Sequence, residues 1–172
     1  LVEPERLEDD RGFFARTFGA NTPWRSNPHL AVLKPETLLG DADARAALLA
    51  RIADHRGQVD LLVMSYHWGY ESEFWPSDVQ RRCWEILREA GVDILYGHHS
   101  HLAQPFAVGD AGRGLCLYSC GNLALEMPLP VYDEGAIFFV QGGIGPEGPV
   151  VKHVATRFTR RTAATVAEIS AP

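Results

Sequence analysis

The amino-acid sequence predicts an α/β domain built on parallel strands. The main observation behind this prediction is a strand, a helix and a second strand within about 40 residues, which is the pattern of a βαβ unit. Three further strand-like segments follow the second strand. With 172 residues, 46% of them hydrophobic and 22% charged, the chain is long enough for one domain with a core of its own.

The N-terminal part of the chain leads into the first helix and the first strand. Residues 1–40 are irregular in pattern, because four prolines interrupt any long element. Apolar residues at helical spacing predict a helix over 43–55, and Gly57 follows as a stop signal. The apolar run over 60–67 then predicts a buried strand.

The second helix has the clearest boundaries in the chain. Ser77 and Gln80 form a capping box at its start and Gly91 follows its last turn, so a helix is predicted over 77–90. The later elements are strands at 92–97, 115–120, 135–141 and 150–158, with a turn at 142–149. The expected divisions are an N-terminal segment at 1–40 that is foreign or truncated, the domain at 41–160 and a tail at 161–172.

The composition excludes several classes of partner. A net charge of -6 argues against nucleic-acid binding, which needs a basic face. No apolar run reaches the roughly 20 residues that span a bilayer. The start of the chain lacks the features of a signal peptide, so we expect membrane association only through a region upstream of Leu1. Three cysteines do not make a disulfide framework, and we expect reduced thiols.

Histidines gather behind both strands of the βαβ unit. His67 ends the first strand, while His98, His99 and His101 follow the second. The carboxyl ends of parallel strands meet at one edge of a sheet, and imidazole is the commonest side-chain metal ligand. If the chain stays extended past Gly97, His99 and His101 point to the same side. A metal site is therefore predicted here, with a structural His67 and an incidental surface cluster as the alternatives.

Three segments in this region carry a family resemblance. They read "DLLVMSYHWGYE", "LREAGVDILYGHHSHLAQPFAV" and "LCLYSCGNL", within about residues 58–141. Together they resemble the second half of the CapA family of capsule or poly-γ-glutamate synthesis proteins, which is related to the calcineurin-like metallophosphoesterases. The resemblance implies a partial metallophosphoesterase-like sandwich, formed by the βαβ unit and the β-strands that follow it. It also implies a cell-envelope location and leaves a cytoplasmic one open.

The same resemblance implies three sets of site residues. The metal ligands are His67, His99 and His101, the catalytic candidates are His67, His98 and Asn122, and the substrate contacts are Glu71 and Trp68. His98 is also an alternative metal ligand, since some relatives carry the histidine one place earlier. Asn122 is equally well explained as a cap on the turn after its strand. The implied cofactor is one or more divalent ions such as manganese, zinc or iron.

The family also carries motifs that this chain lacks. Its earlier half has an aspartate at the first strand end, a "GN-x-E"-like motif and "NNH", and residues 1–57 contain none of these. We therefore expect a fragment, a lost activity or a partner that completes the site. The expected function is surface-polymer synthesis with a phosphoester or polymer substrate, and hydrolysis if the missing half is supplied. The alternative is a non-catalytic remnant that binds metal or polymer.

The first 18 residues carry a different resemblance. "LVEPERLEDDRGFFARTF" is similar to the start of dTDP-4-dehydrorhamnose 3,5-epimerases, in which the residues matching Arg11 and Phe14 help to hold the nucleotide sugar. The similarity covers a tenth of the chain, and no cupin barrel with its catalytic histidine and tyrosine follows. A nucleotide-sugar epimerase is therefore a weaker alternative.

Overall fold

The computed structural model describes residues 34–125, 129–162 and 165–169. The helices are α1 (Pro35–Gly40), α2 (Ala42–Arg56) and α3 (Asp78–Glu89). The strands are β1 (Val63–His67), β2 (Ile94–His98), β3 (Phe106–Val108), β4 (Leu115–Leu117), β5 (Glu134–Gly145), β6 (Gly148–Arg161) and β7 (Val166–Ile169). The predictions for residues 1–33, including Arg11 and Phe14, lie outside the described residues. Among the helices described, none is long and apolar enough to span a membrane.

The predicted βαβ unit is confirmed. β1 and β2 pair in parallel, from Val63 opposite Ile94 to His67 opposite His98, and α3 joins them. β4 then pairs in parallel with the other side of β2, and the short β3 pairs antiparallel with β4. The result is a four-stranded sheet of order β1-β2-β4-β3, which fits the predicted α/β class.

α3 supplies much of the core on one face of this sheet. Its capping box is present, with the Ser77 side chain accepting from the Gln80 backbone N–H and the Gln80 side chain accepting from the Ser77 backbone N–H. Cys83, Trp84 and Leu87 are all buried on the side that faces the sheet. The apolar face of α3 therefore packs on the sheet. Burial of this face, more than intrinsic helix propensity, stabilises the helix there.

The opposite face of the sheet is open at β1 and β2, whereas β4 is buried on both of its faces among the described residues. Tyr66 and Leu95 point into the core, whereas Val63 and Tyr96 are 47% and 37% exposed. The prediction of a fully buried strand over 60–67 is therefore wrong, because neighbouring residues of a strand alternate between a covered and an open face. The regular strand also begins only at Val63.

The predicted irregular segment ends earlier than residue 40. Pro35 begins α1, where a residue without an N–H costs no helical hydrogen bond. Leu38 of α1 is buried in the same core as α3. Asp41 then caps α2, its side chain accepting hydrogen bonds from the backbone N–H groups of Asp43 and Ala44.

The second sheet is more regular than the sequence predicts. β5, β6 and β7 pair antiparallel, and only residues 146–147 separate β5 from β6, not the turn predicted at 142–149. A Cβ at Gly142 would lie 2.4 Å from the Val150 carbonyl oxygen, so this glycine allows two strands to approach closely. β7 likewise places residues 166–169 of the predicted tail in a sheet.

Candidate metal centre at the histidine edge

The ends of β1 and β2 bring two histidines side by side. His67 and His98 are register partners at the last residues of these strands. Their rings stack with centroids 6.5 Å apart. The parallel pairing of the strands therefore produces the convergence that the sequence predicts.

The two histidines after β2 are positioned by an unusual backbone. The φ angles of His99 and His101 are 99° and 61°, in the left-handed region that few residues other than glycine adopt. The chain therefore leaves the extended conformation at His99, directly after β2, so the condition for a strand-like alternation of His99 and His101 is not met. Ser100, buried between the two histidines, stabilises the turn by donating to the Leu102 carbonyl oxygen at 2.8 Å.

The four histidines form a row along this edge. The ring centroids of His67 and His99 are 4.7 Å apart, and those of His99 and His101 are 6.2 Å apart. His67 Nε2 and His99 Nδ1 share a hydrogen bond of 3.1 Å, in which one of the two nitrogens donates. The structure thus brings all three predicted metal ligands together, along with His98 at the other end of the row.

The electrostatics of the row favour the neutral imidazole at His67 and at His98. Partial burial lowers the pKa of His67, and the charges of His99, His98 and His101 lower it further. Burial likewise lowers the pKa of His98. A metal ion binds only the unprotonated nitrogen of an imidazole, so the lowered pKa values of His67 and His98 favour the form of these two rings that a metal would need.

The His67–His99 pair fits one metal ion as two of its ligands. With metal–nitrogen bonds of about 2.0–2.1 Å, two nitrogens of a tetrahedral site lie about 3.3 Å apart. The 3.1 Å between His67 Nε2 and His99 Nδ1 is close to this separation. Within residues 34–125, 129–162 and 165–169, no group of three or more His, Cys, Asp or Glu side chains is arranged to hold a metal. The donors described here therefore fit part of a metal site.

His98 has a different partner at its end of the row. Its Nε2 shares a hydrogen bond of 3.1 Å with the Ser65 hydroxyl, and its ring meets Tyr96 edge-on at 5.0 Å. No motif in the sequence points to Ser65, although it stands two residues before His67 on the same face of β1. This contact engages Nε2 of His98, so the geometry favours His99 over His98 as the neighbour that shares an ion with His67.

At the other end of the row, His101 contacts Asn122. The distance from His101 Nδ1 to Asn122 Oδ1 is 2.9 Å, and the Asn122 amide donates to the Tyr132 carbonyl oxygen at 3.0 Å. Tyr132, which sequence reasoning missed, also bonds through its hydroxyl to Ser72. No short-range pattern in the sequence links residues 72, 101 and 132, because the fold alone brings them together.

The two predicted substrate contacts lie in different environments. Glu71 is exposed in the loop after β1, where a soluble ligand can reach it. Trp68 is only 2% exposed, its indole N–H donates to the Tyr118 carbonyl oxygen at 2.9 Å, and its ring stacks on Tyr66 and Tyr118. We therefore assign Trp68 to the core instead of substrate binding, since a buried ring offers no surface to a substrate.

Gly97 belongs to the same packing arrangement as Trp68. A Cβ at Gly97 would lie 2.0 Å from the Tyr118 carbonyl oxygen and 2.3 Å from the indole nitrogen of Trp68. No side chain fits in that space, so a residue other than glycine would break the hydrogen bond between Trp68 and Tyr118.

Comparisons with known proteins agree with this architecture. The family model described as "Bacterial capsule synthesis protein PGA_cap" matches residues 11–127, which is more than half of the chain. The match begins upstream of the segments that carry the resemblance and includes Arg11 and Phe14. The metallophosphoesterase-like fold that this family implies is consistent with the parallel sheet and helices seen here.

Two curated relatives show the same similarity. Capsule biosynthesis protein CapA of Bacillus anthracis is 33% identical over 103 residues, covering 59% of this chain and 23% of that protein. PGA biosynthesis protein CapA of Bacillus subtilis (strain 168) is 33% identical over 84 residues, covering 49% of this chain and 20% of that protein. The chain thus matches about a fifth to a quarter of the length of these relatives. With the family match and the fold, these similarities show that the chain belongs to the bacterial capsule synthesis (PGA_cap) family.

Proposed function

We propose that this chain carries the histidine side of a metal centre that acts in the assembly of a surface polymer. The observation that supports the metal is the pair of nitrogens, His67 Nε2 and His99 Nδ1, separated by about the distance between two ligands of one ion. The names of the two relatives support a role in polymer assembly, since one is a capsule biosynthesis protein and the other is a PGA biosynthesis protein. For the same reason, we propose that this protein acts at the cell envelope.

The proposed chemistry is metal-assisted attack of water on a phosphoester, or a related step on the polymer. A bound divalent ion supplies an activated water and neutralises charge that develops on phosphate oxygens. His67 and His99 would hold the ion, with His101 as a further ligand, and manganese, zinc and iron are the candidates that suit imidazole ligands. His98 lies at the same edge of the sheet, where it shares a hydrogen bond with Ser65. We propose that it takes up or releases a proton during the reaction.

Binding without turnover is the expectation for this chain by itself. The described residues present two facing imidazole nitrogens but no group of three or more ligands that could hold a metal. A two-metal hydrolase clamps both the attacking and the leaving oxygen, and losing that clamp removes several kcal/mol of transition-state stabilisation. We therefore propose weak metal binding by the chain and little or no hydrolysis of phosphoesters.

Calorimetric titration with Zn²⁺ and Mn²⁺ tests the metal half of the proposal. His67→Ala and His99→Ala should each weaken binding at least about tenfold, and the double variant should lose little more, because the two ligands serve one ion. His153→Ala is the matched control, since His153 is exposed on β6 away from the row. Unchanged affinity in the double variant would overturn the site.

An aryl-phosphate assay with the same metals tests the chemical half. We expect no metal-dependent turnover near the ordinary enzymatic range of about 1–10³ s⁻¹. Turnover in that range, lost in His67→Ala and kept in His153→Ala, would show that the chain holds a complete site. That result would refute the proposal that the chain supplies only one side.

A further inference from the structure

The orientation of the Asn122 side chain follows from its two hydrogen bonds. Asn122 is 7% exposed, and one end of its amide faces the Tyr132 carbonyl oxygen at 3.0 Å. A carbonyl oxygen only accepts, so the NH₂ group must point at Tyr132 and the amide oxygen at His101. The chemistry of the two partners therefore determines which end of the amide carries the oxygen and which the nitrogen.

The orientation of Asn122 in turn determines the proton on His101. The Asn122 oxygen lies 2.9 Å from His101 Nδ1, and an amide oxygen only accepts. Nδ1 must therefore carry the proton, which leaves Nε2 of the neutral ring with a free lone pair. The ring of Tyr132 meets His101 edge-on at 6.1 Å and restricts its rotation.

We propose that Asn122 is a positioning residue that keeps His101 in the tautomer with hydrogen on Nδ1 and presents Nε2 as a metal donor. The second half of this statement rests on the proposed function, whereas the tautomer does not. Metal-binding histidines usually donate their other N–H to an oxygen acceptor, which fixes the ring and makes the free nitrogen a better ligand. Here the Asn122 amide is that acceptor.

The structure also shows what keeps Asn122 in place. Its backbone N–H donates to the Glu134 carbonyl oxygen at 3.2 Å, next to the bridge that joins Gly121 and Gly135. The Tyr132 hydroxyl bonds to Ser72 in the loop after β1. The acceptor for His101 is thus anchored to the second sheet and to the loop that follows His67.

Nitrogen-15 NMR of the histidine side chains measures the tautomer directly. The full chain, labelled on histidine and held near pH 8 without metal, should show His101 with Nδ1 protonated and Nε2 unprotonated, with the signals assigned by their loss in His101→Ala. Asn122→Leu removes the acceptor at similar volume and should give a mixture of tautomers. Asn122→Asp keeps an oxygen acceptor and should retain the Nδ1–H form.

The outcomes for the tautomer and for the metal are separable. A wild-type His101 protonated on Nε2, or an unchanged tautomer in a folded Asn122→Leu variant, would overturn the inference whether or not metal binds. If Asn122→Leu fails to fold, the wild-type and Asn122→Asp spectra still decide it. Zn²⁺ titration should then show about 10- to 100-fold weaker binding in Asn122→Leu and a smaller loss in Asn122→Asp. A wild-type chain that binds no Zn²⁺ would refute the proposed function. The His101 tautomer would still be decided by the nitrogen-15 NMR spectrum.

Discussion

The two tryptophans at positions 68 and 75 should respond very differently to truncation. Trp68 is 2% exposed and stacked between Tyr66 and Tyr118, whereas Trp75 is 69% exposed in the following loop. We expect Trp68→Ala to destabilise the fold strongly and Trp75→Ala to leave it nearly unchanged. The pair is a matched test, because the same side chain is removed from two sites seven positions apart.

The magnitude follows from the burial and hydrogen bonding of Trp68. Burying an aromatic ring removes about 150–250 Å² from water, worth roughly 4–6 kcal/mol at 25 cal/mol/Å² as an upper estimate. Truncations of buried Phe and Trp to Ala typically cost about 3–5 kcal/mol, and we expect that range here. Trp68→Phe keeps a ring but leaves the Tyr118 carbonyl oxygen without its indole donor, for about 1–3 kcal/mol. Trp75→Ala should change stability by no more than about 0.5 kcal/mol.

Urea unfolding followed by circular dichroism provides the measurement. The midpoint should fall most for Trp68→Ala, less for Trp68→Phe and hardly at all for Trp75→Ala, at a constant slope. A loss below about 1 kcal/mol in Trp68→Ala would contradict the core assignment, given the cost expected of a buried ring. Equal losses at the two positions would show that the loop after β1 is packed differently.

The remaining predictions concern the histidine row and one ion pair. At position 99, where φ is 99°, His99→Gly should be more stable in urea than His99→Ala by about 1 kcal/mol, the reverse of the usual order. Because the pKa of His67 is lowered, protonation of this ligand should weaken Zn²⁺ binding at a lower pH than protonation of an ordinary imidazole with a pKa of about 6.5 would, as titrations from pH 7.5 to 5.5 can measure. The stability of the metal-free chain should likewise fall in thermal melts as the pH drops from 6.5 through the lowered pKa, since the unfolded chain binds more protons there. Asp93→Asn removes the partner of Arg56 in a half-buried ion pair, and urea unfolding should show a loss of about 1–2 kcal/mol after allowing for solvent screening.

Local signals in the sequence predict the parts of the fold that depend on neighbouring residues. The capping box at Ser77 and Gln80 and the glycine after α3 fix that helix, because the groups that cap it lie within a few positions of each other. Two strands flanking the helix then place His67 and His98 at one edge, since a βαβ unit has few alternatives.

The details of the site depend on contacts that no local pattern encodes. The left-handed turn at His99 and His101 changes how the rings converge, although the convergence itself was predicted. No local pattern in the sequence predicts that Tyr132 lies beside Asn122. The hydrogen bond from the Asn122 amide to the Tyr132 carbonyl oxygen nevertheless determines the orientation of the Asn122 side chain. The family resemblance implies Trp68 as a substrate contact, and no local pattern in the sequence shows that this residue, next to a site histidine, points into the core.

The close packing over Gly97 has a consequence for how sequences of this family diverge. The glycine in "YGHHSH" is required by the hydrogen bond between Trp68 and Tyr118, while the histidines beside it are required by the proposed metal site. The two constraints are independent, so relaxed selection on the activity should let the histidines drift while the glycine, the tryptophan and the fold persist. A homologue that keeps the glycine without the histidines would then be a folded protein without the proposed metal site, and one that lost the glycine would have to repack its core first.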